Sequence, residues 1–337
     1  MDELLERLAE VADLERTAVL LAWDQEVCMP PAGAEGRGEL RATIGRLAHE
    51  RLTDERIGEL LEVARPRDEI EADAVRVGRR DFDKARRVPG ELVAEIARTA
   101  SAARMAWLQA RQRSDFASFA PHLERNLELR RRYSACFPEA EHPYDPLLDD
   151  YEPGLSTQEL TAALERLRDG LVALVAAAPE VDDSLLRGGG PTAFPEAGQR
   201  ELARTVLHAV GVVDDAWRLD EAAHPFQATI APGDVRLTTR YDESDLDSLY
   251  SALHEFGHGL YEFQVDPALA RMPVAGGASS AWHESQSRLW ENMVGRSPGF
   301  WRWCFPHAQK ALPERLAGRT WQESSAPSAR YAGASSA

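Results

Sequence analysis

The residues best suited to chemistry lie in one stretch, Ser251-Ala252-Leu253-His254-Glu255-Phe256-Gly257-His258-Gly259-Leu260-Tyr261-Glu262, whose centre has the form H-E-x-x-H. On an α-helix, positions four apart share one face, one turn apart, so His254 and His258 would aim two imidazoles at a common point. Two such nitrogens can hold a Zn²⁺ ion at roughly 2.0–2.1 Å. Glu255 would reach a water polarised by that ion without binding the ion itself, which suits a general base. The pattern has only three fixed letters, and a surface helix with two solvated histidines also satisfies it.

The elements that must position these groups are legible on either side. Leu246, Leu249, Tyr250, Leu253, Phe256, Gly257, Leu260 and Tyr261 recur at three- and four-residue steps, one apolar stripe at the helical period. Asp242, Ser244 and Asp245 are candidate N-caps. A small-residue link, Ala275-Gly276-Gly277-Ala278-Ser279-Ser280, then predicts a helix end and a new start. The new helix carries Trp282-His283-Glu284-Ser285-Gln286-Ser287-Arg288-Leu289-Trp290. A zinc site of this kind takes a third protein ligand, commonly a Glu from the following helix, and Glu284 is well placed. His283 is the alternative ligand. Trp282, Leu289 and Trp290 suggest that this helix is buried, and a carboxylate there wants a metal or a cation.

These two stretches together resemble the carboxypeptidase Taq family of metallocarboxypeptidases. Leu20-Leu21-Ala22-Trp23-Asp24-Gln25 with Met29-Pro30-Pro31 resembles the family's N-terminal pattern, and His142-Pro143-Tyr144-Asp145-Pro146-Leu147-Leu148-Asp149-Asp150-Tyr151-Glu152-Pro153-Gly154 another of its blocks. His224-Pro225-Phe226 with Pro232-Gly233-Asp234-Val235-Arg236-Leu237-Thr238-Thr239-Arg240-Tyr241 resembles a third. The resemblance implies a Zn²⁺- or Co²⁺-dependent enzyme, one ion per chain, that releases amino acids from peptides with a free C-terminus. Its metal ligands would be His254, His258 and Glu284, its base Glu255, and its assembly a homodimer. A carboxypeptidase must also grip the terminal carboxylate, usually with an Arg. Arg236 and Arg240 are the candidates beside the site; His283 and Gln286 could line it, while Ser285, Gln286 and Arg288 could equally be ordinary packing. Two further family motifs, roughly I-R-x-x-A-D and G-x-x-Q-D-x-H-W, do not occur, and residues 319–337 read as an irregular, non-native tail. The alternative expectation is therefore a truncated, catalytically impaired helical fragment that at most binds metal or peptide.

Composition narrows the partners. The 337 residues carry a formal net charge of −17, which disfavours nucleic acid and anionic membrane. Cys28, Cys136 and Cys304 stand singly, as free thiols do in a reducing compartment. No apolar run of about 18 residues predicts a membrane span, and the acidic start lacks a signal peptide's basic region, so a cytoplasmic location is expected.

The expected fold is mainly α: a multi-helix, zincin-type metallopeptidase with a small antiparallel β-hairpin beside the active site. Residues 1–318 read as one helical domain, with helix after helix over 1–135 and the metal-site part at 224–292. The second helix, over 33–52, would turn Leu40, Ile44 and Leu47 inward. Residues 68–87 read as an exposed helix laced with ion pairs, and 141–154 as a loop in which Asp145 and Pro146 are structural or near substrate. Ser156 to Glu159 reads as a capping box, and Gly188-Gly189-Gly190-Pro191 as a loop. Thr229-Ile230 and 235–241, split by Pro232-Gly233-Asp234, predict the hairpin, whose edge could pair with an extended peptide. Leu289, Trp290, Met293, Phe300, Trp301 and Phe305 are candidates for an apolar face left exposed.

Overall fold

The computed structural model describes residues 1–178 and 193–320. The chain forms two compact units, 1–161 with 230–232 and 265–279, and 162–229 with 233–264 and 280–337. The chain passes between them several times. The loop expected at 188–191 and most of the expected tail lie outside the described residues.

The first unit is built from α1 (Asp2–Val27), α2 (Ala34–Leu52), α3 (Glu55–Val63), α4 (Glu69–Ala85), α5 (Gly90–Arg113), α6 (Phe116–Ser134) and the short α7 (Asp145–Asp149). Leu4, Leu8 and Val11 of α1 meet Ile57 and Leu61 of α3 and Phe82 of α4 in one cluster. A second joins Val88, Leu92, Leu129 and Phe137. Three expectations need correction. α2 buries Gly38, Ala42 and Ala48, while Leu40 and Leu47 are exposed, because close packing selects its small residues. α4 buries Ala74, Gly78 and Phe82 as well as carrying ion pairs. The block 141–154 contains a helical turn: Asp145 accepts from Thr157 N at 2.7 Å and Oγ1 at 2.6 Å, and Lys84 reaches Asp149 and Asp150, each at 2.6 Å. Asp145 is thus a local fastener. α8 (Thr157–Ala177) opens on the expected capping box, with Ser156 N donating to Glu159 Oε2 at 3.1 Å and Glu159 N to Ser156 Oγ at 3.2 Å.

The second unit continues with α9 (Glu196–Ala209), β1 (Trp217–Glu221), β2 (Gln227–Ala231, its last two residues grouped with the first unit), β3 (Asp234–Thr239), α10 (Asp247–Phe263), α11 (Ser280–Arg288), a π-helical turn over Leu289–Val294, α12 (Pro298–Ala311) and α13 (Pro313–Leu316). The expected hairpin is β2–β3, turned over Pro232-Gly233 with Gly233 at φ +78°, a conformation that favours glycine. A third strand joins it: β1 pairs in parallel with β3, from Trp217 opposite Val235 to Glu221 opposite Thr239, giving the order β1-β3-β2. The sequence reading did not mark β1: Trp217-Arg218-Leu219-Asp220 alternates, but two apolar residues are too short a run to signal a strand.

α10 is the hub of this unit. Leu246, Leu249, Tyr250 and Leu253 pack with Leu202 and Val206 of α9 and Phe300, Trp301, Cys304 and Phe305 of α12. Ala252 and Phe256 pack with Trp217, Val235 and Leu237 of the sheet. The expectation that Phe300, Trp301 and Phe305 form an exposed face is therefore overturned: at 8%, 2% and 4% exposure they are core, and Trp301 donates its indole N–H to Tyr250 Oη at 3.1 Å. Leu289 and Met293 do stay exposed. Among the described residues no helix is long and apolar enough to cross a membrane.

Candidate active site

With two faces of α10 buried, one polar stripe remains: His254, His258 and Glu262, at successive four-residue steps. Leu246 holds the N-cap position, one residue after the last candidate cap, Asp245, which accepts from Asp247 N at 3.0 Å. The x-x of the H-E-x-x-H pattern has a packing reason. A Cβ on Gly257 would lie 2.6 Å from both Gln286 O and Ser287 Cα, so only glycine lets α11 approach α10 this closely. Gly259 gives the same clearance on the sheet side, where a Cβ would meet Trp217 at 2.6 Å and Val235 at 2.8 Å.

The close approach sets Glu284 opposite the histidines. His254 Nε2 and His258 Nε2 are 3.2 Å apart. Glu284 Oε2 is 3.8 Å from His254 Nε2, and Glu284 Oε1 is 3.8 Å from His258 Nε2. One donor atom from each of the three lies within 4.8 Å of the others. Two nitrogens each ~2.05 Å from a tetrahedral ion would sit ~3.3 Å apart, so the residues present fit a small divalent ion. Glu284 is not on a buried helix as expected: its side chain is 53% exposed, and Trp282 and Leu289 are exposed too. α11 turns mainly its backbone and Ser287 toward α10. Ser287 Oγ donates to Glu284 Oε2 at 3.1 Å and steadies the carboxylate.

The far nitrogens of both imidazoles are also engaged. His254 Nδ1 is 2.9 Å from Glu291 Oε2, and Glu291 is held by Arg288 at 3.0 Å and Arg296 at 3.2 Å. This carboxylate comes from the π-helical turn, whose irregular winding re-aims side chains after α11. The sequence reading missed Glu291, since nothing in local composition announces a π turn. It also missed Glu262, although the eight-residue step from His254 was visible. His258 Nδ1 lies 3.3 Å from His283 Nδ1, and His283 Nε2 lies 3.2 Å from Glu262 Oε1.

Burial pushes the Glu255 carboxyl up to about 7, helped by the negative charges of Glu284 and Glu291 and opposed by His254. The hydrogen bond to Glu291 raises His254, whereas burial and the neighbouring His254 push His258 down to about 4. Without an ion one imidazole therefore favours its proton and the other stays neutral. At Glu291 and Glu262, burial works to raise the carboxyl, but hydrogen bonds from His254 and Arg296, and from His283, Thr229 and Gln227, outweigh it.

The remaining candidates are Arg236, Arg240 and Gln286. Arg236, on β3, closes its guanidinium onto Asp234 with two bonds of 2.8 Å. Arg240, just past β3, is exposed, and Gln286 is half-buried with its backbone against Gly257.

A histidine pair on one helix and a carboxylate from the next form a group that could hold a metal ion, with a buried glutamate beside it, on a helical frame with a small sheet. The chain belongs to the carboxypeptidase Taq (M32) metallopeptidase family, whose pattern matches residues 3–325. It is 39% identical over 329 residues to thermostable carboxypeptidase 1 of Thermus thermophilus, covering 92% of this chain and 64% of that protein. It is 34% identical over 323 residues to carboxypeptidase 1 of Bacillus subtilis, covering 92% and 63%. The crystal structure of an M32 carboxypeptidase from Deinococcus radiodurans R1 superposes with a TM-score of 0.82 at 37% identity, over 96% of this chain and 65% of that one. The chain thus spans somewhat less than two thirds of the length of these relatives. Membership of a metallopeptidase family implies a divalent ion.

Proposed function

We propose that the chain is a metallocarboxypeptidase, dependent on Zn²⁺ or Co²⁺, that removes residues from peptides with a free C-terminus. The observation that carries this reading is the convergence of His254 Nε2, His258 Nε2 and a Glu284 oxygen within 4.8 Å, beside buried Glu255. These three side chains would hold one ion, with Glu291 and Ser287 steadying His254 and Glu284. A bound divalent ion supplies Lewis acidity, acidifying a water and polarising a carbonyl. Glu255 takes the proton of the attacking water and returns a proton to the leaving amine nitrogen. Its raised proton affinity suits it to both transfers, because an acid–base group works best near the ambient pH. Arg240, exposed just past β3, is the proposed partner of the substrate carboxylate, and Arg236, its guanidinium bound by Asp234, is the second candidate.

The test has two arms. Elemental analysis of the purified chain should find about one divalent ion, and His258→Ala should remove it. Glu255→Gln should keep the ion and abolish release of C-terminal residues from an unblocked peptide. A folded, freshly purified chain without metal, or a Glu255→Gln variant as fast as wild type, sinks the assignment.

A further inference from the structure

His283 was expected to touch substrate or to replace Glu284 as a ligand, and the geometry favours neither. Its Nδ1 faces Nδ1 of His258 at 3.3 Å, whereas Glu284 faces Nε2 of that ring, so His283 is on the side away from the candidate ion position. Its other nitrogen is engaged by Glu262 at 3.2 Å. Tyr261 packs edge-on against the ring at 5.0 Å between centroids. Glu262 is in turn hydrogen-bonded by Thr229 and Gln227 of β2, and Gln227 Nε2 donates to Thr229 Oγ1 at 2.6 Å.

We infer that His283 is a positioning residue for His258, linking that imidazole to Glu262 and through it to β2. The inference rests on the metal reading proposed above. Only one set of tautomers satisfies the chain of contacts. With His258 Nε2 turned to an ion, its proton sits on Nδ1 and is donated to His283 Nδ1. His283 must then carry its own proton on Nε2, which donates to the ionised carboxylate of Glu262. Every donor meets an acceptor and both rings stay neutral. The two candidate ligands are thereby supported differently. His254 meets the carboxylate of Glu291 directly, whereas His258 meets that of Glu262 through an intervening ring. The relay fixes the ring plane of His258 without setting a further negative charge directly against a pocket that already holds Glu255, Glu284 and Glu291.

The experiment is a Zn²⁺ titration of the metal-stripped 337-residue chain against a chromophoric chelator, repeated for His283→Ala, His283→Gln and His283→Asn. Absorption spectra of the Co²⁺-loaded proteins report ligand geometry independently of activity. Outer partners of a ligating histidine are typically worth about 10–100-fold in metal affinity. That loss, with altered Co²⁺ bands, is expected for Ala and Gln. Asn should lose less, because its Oδ1 takes the place of Nδ1 and still accepts from His258, whereas Gln reaches only toward Glu262. Thermal unfolding of the metal-free variants shows whether each is folded. If Ala does not fold, the comparison of Gln with Asn decides: weaker binding by Gln supports the relay, and equal binding overturns it. Ala and Gln variants within about twofold of wild type with unchanged Co²⁺ spectra also overturn it, while the metal reading stands. A wild-type chain that binds no Zn²⁺ removes both.

Discussion

Gly257→Ala is a test in which sequence and structure disagree in sign. In a helix interior, glycine to alanine favours folding by about 1 kcal/mol, and Gly257 lies mid-way along α10. The added Cβ, however, would sit 2.6 Å from Gln286 O, 2.6 Å from Ser287 Cα and 2.9 Å from Gln286 C. Comfortable contact begins near 3.5 Å, so α11 must retreat by ~1 Å, and backbone atoms cannot swing aside as a side-chain tip can. Overpacking of this kind costs about 1–3 kcal/mol, which outweighs the propensity gain and leaves a net loss of up to ~2 kcal/mol. The retreat also carries Glu284 away. Its oxygens are already 3.8 Å from each imidazole nitrogen, and metal sites tolerate bond-length departures of only ~0.2 Å. The expected result is a melting temperature lowered by a few degrees in the metal-free chain and Zn²⁺ affinity reduced by at least about tenfold. A variant that melts higher and binds Zn²⁺ as tightly as wild type would refute the reasoning that Gly257 is there to seat α11.

Other outcomes follow from the same geometry. The carboxyl of Glu255 is pushed up to about 7 from 4.5 by burial. Its folded-state pKa lies above its unfolded value, so in the metal-free chain ionisation opposes folding progressively as pH rises from about 4.5 to 7. Glu255→Gln should therefore be more stable than wild type above pH ~7, by on the order of 3 kcal/mol, and no more stable below pH ~4; a difference that does not change with pH in urea melts at several pH values excludes this. Metal binding should weaken as pH falls, because His254, raised by Glu291, must give up a proton to bind; a chelator titration showing equal affinity at pH 5 and pH 8 contradicts it. Trp301→Ala, at a site 2% exposed and bonded to Tyr250, should cost about 3–5 kcal/mol of stability; a loss below about 1 kcal/mol would show that α12 is not core.

Much of the site was legible without coordinates, because its spacing is local. Four-residue steps on a helix put His254 and His258 together whatever surrounds them, and the apolar stripe on 246–261 already implied that the helix was packed. The capping box at Ser156 and the turn at Gly233 are of the same kind: a few adjacent residues contain all the atoms involved. What the stripe could not say was how many partners α10 has. Two buried faces, against α9 and α12 and against the sheet, leave a single open strip for the polar groups.

The rest was decided by pairs of residues far apart in sequence. Glu284 meets the histidines only because Gly257 admits the backbone of α11, and it does so as an exposed side chain on a thinly packed helix. Glu291 reaches His254 across 37 positions through a π turn that no periodicity announces. β1 finds β3 in parallel across a connection that contains β2, so the partners are not neighbours in sequence. Phe300, Trp301 and Phe305 look unpartnered as a string of letters and are core in the fold, since burial depends on which helix comes to lie opposite. By itself the sequence determined the candidate donors and the helix that bears two of them. Tertiary packing decided which third group meets them and which carboxylates and imidazole stand behind them, because those contacts depend on the approach of separate elements, which local spacing does not encode.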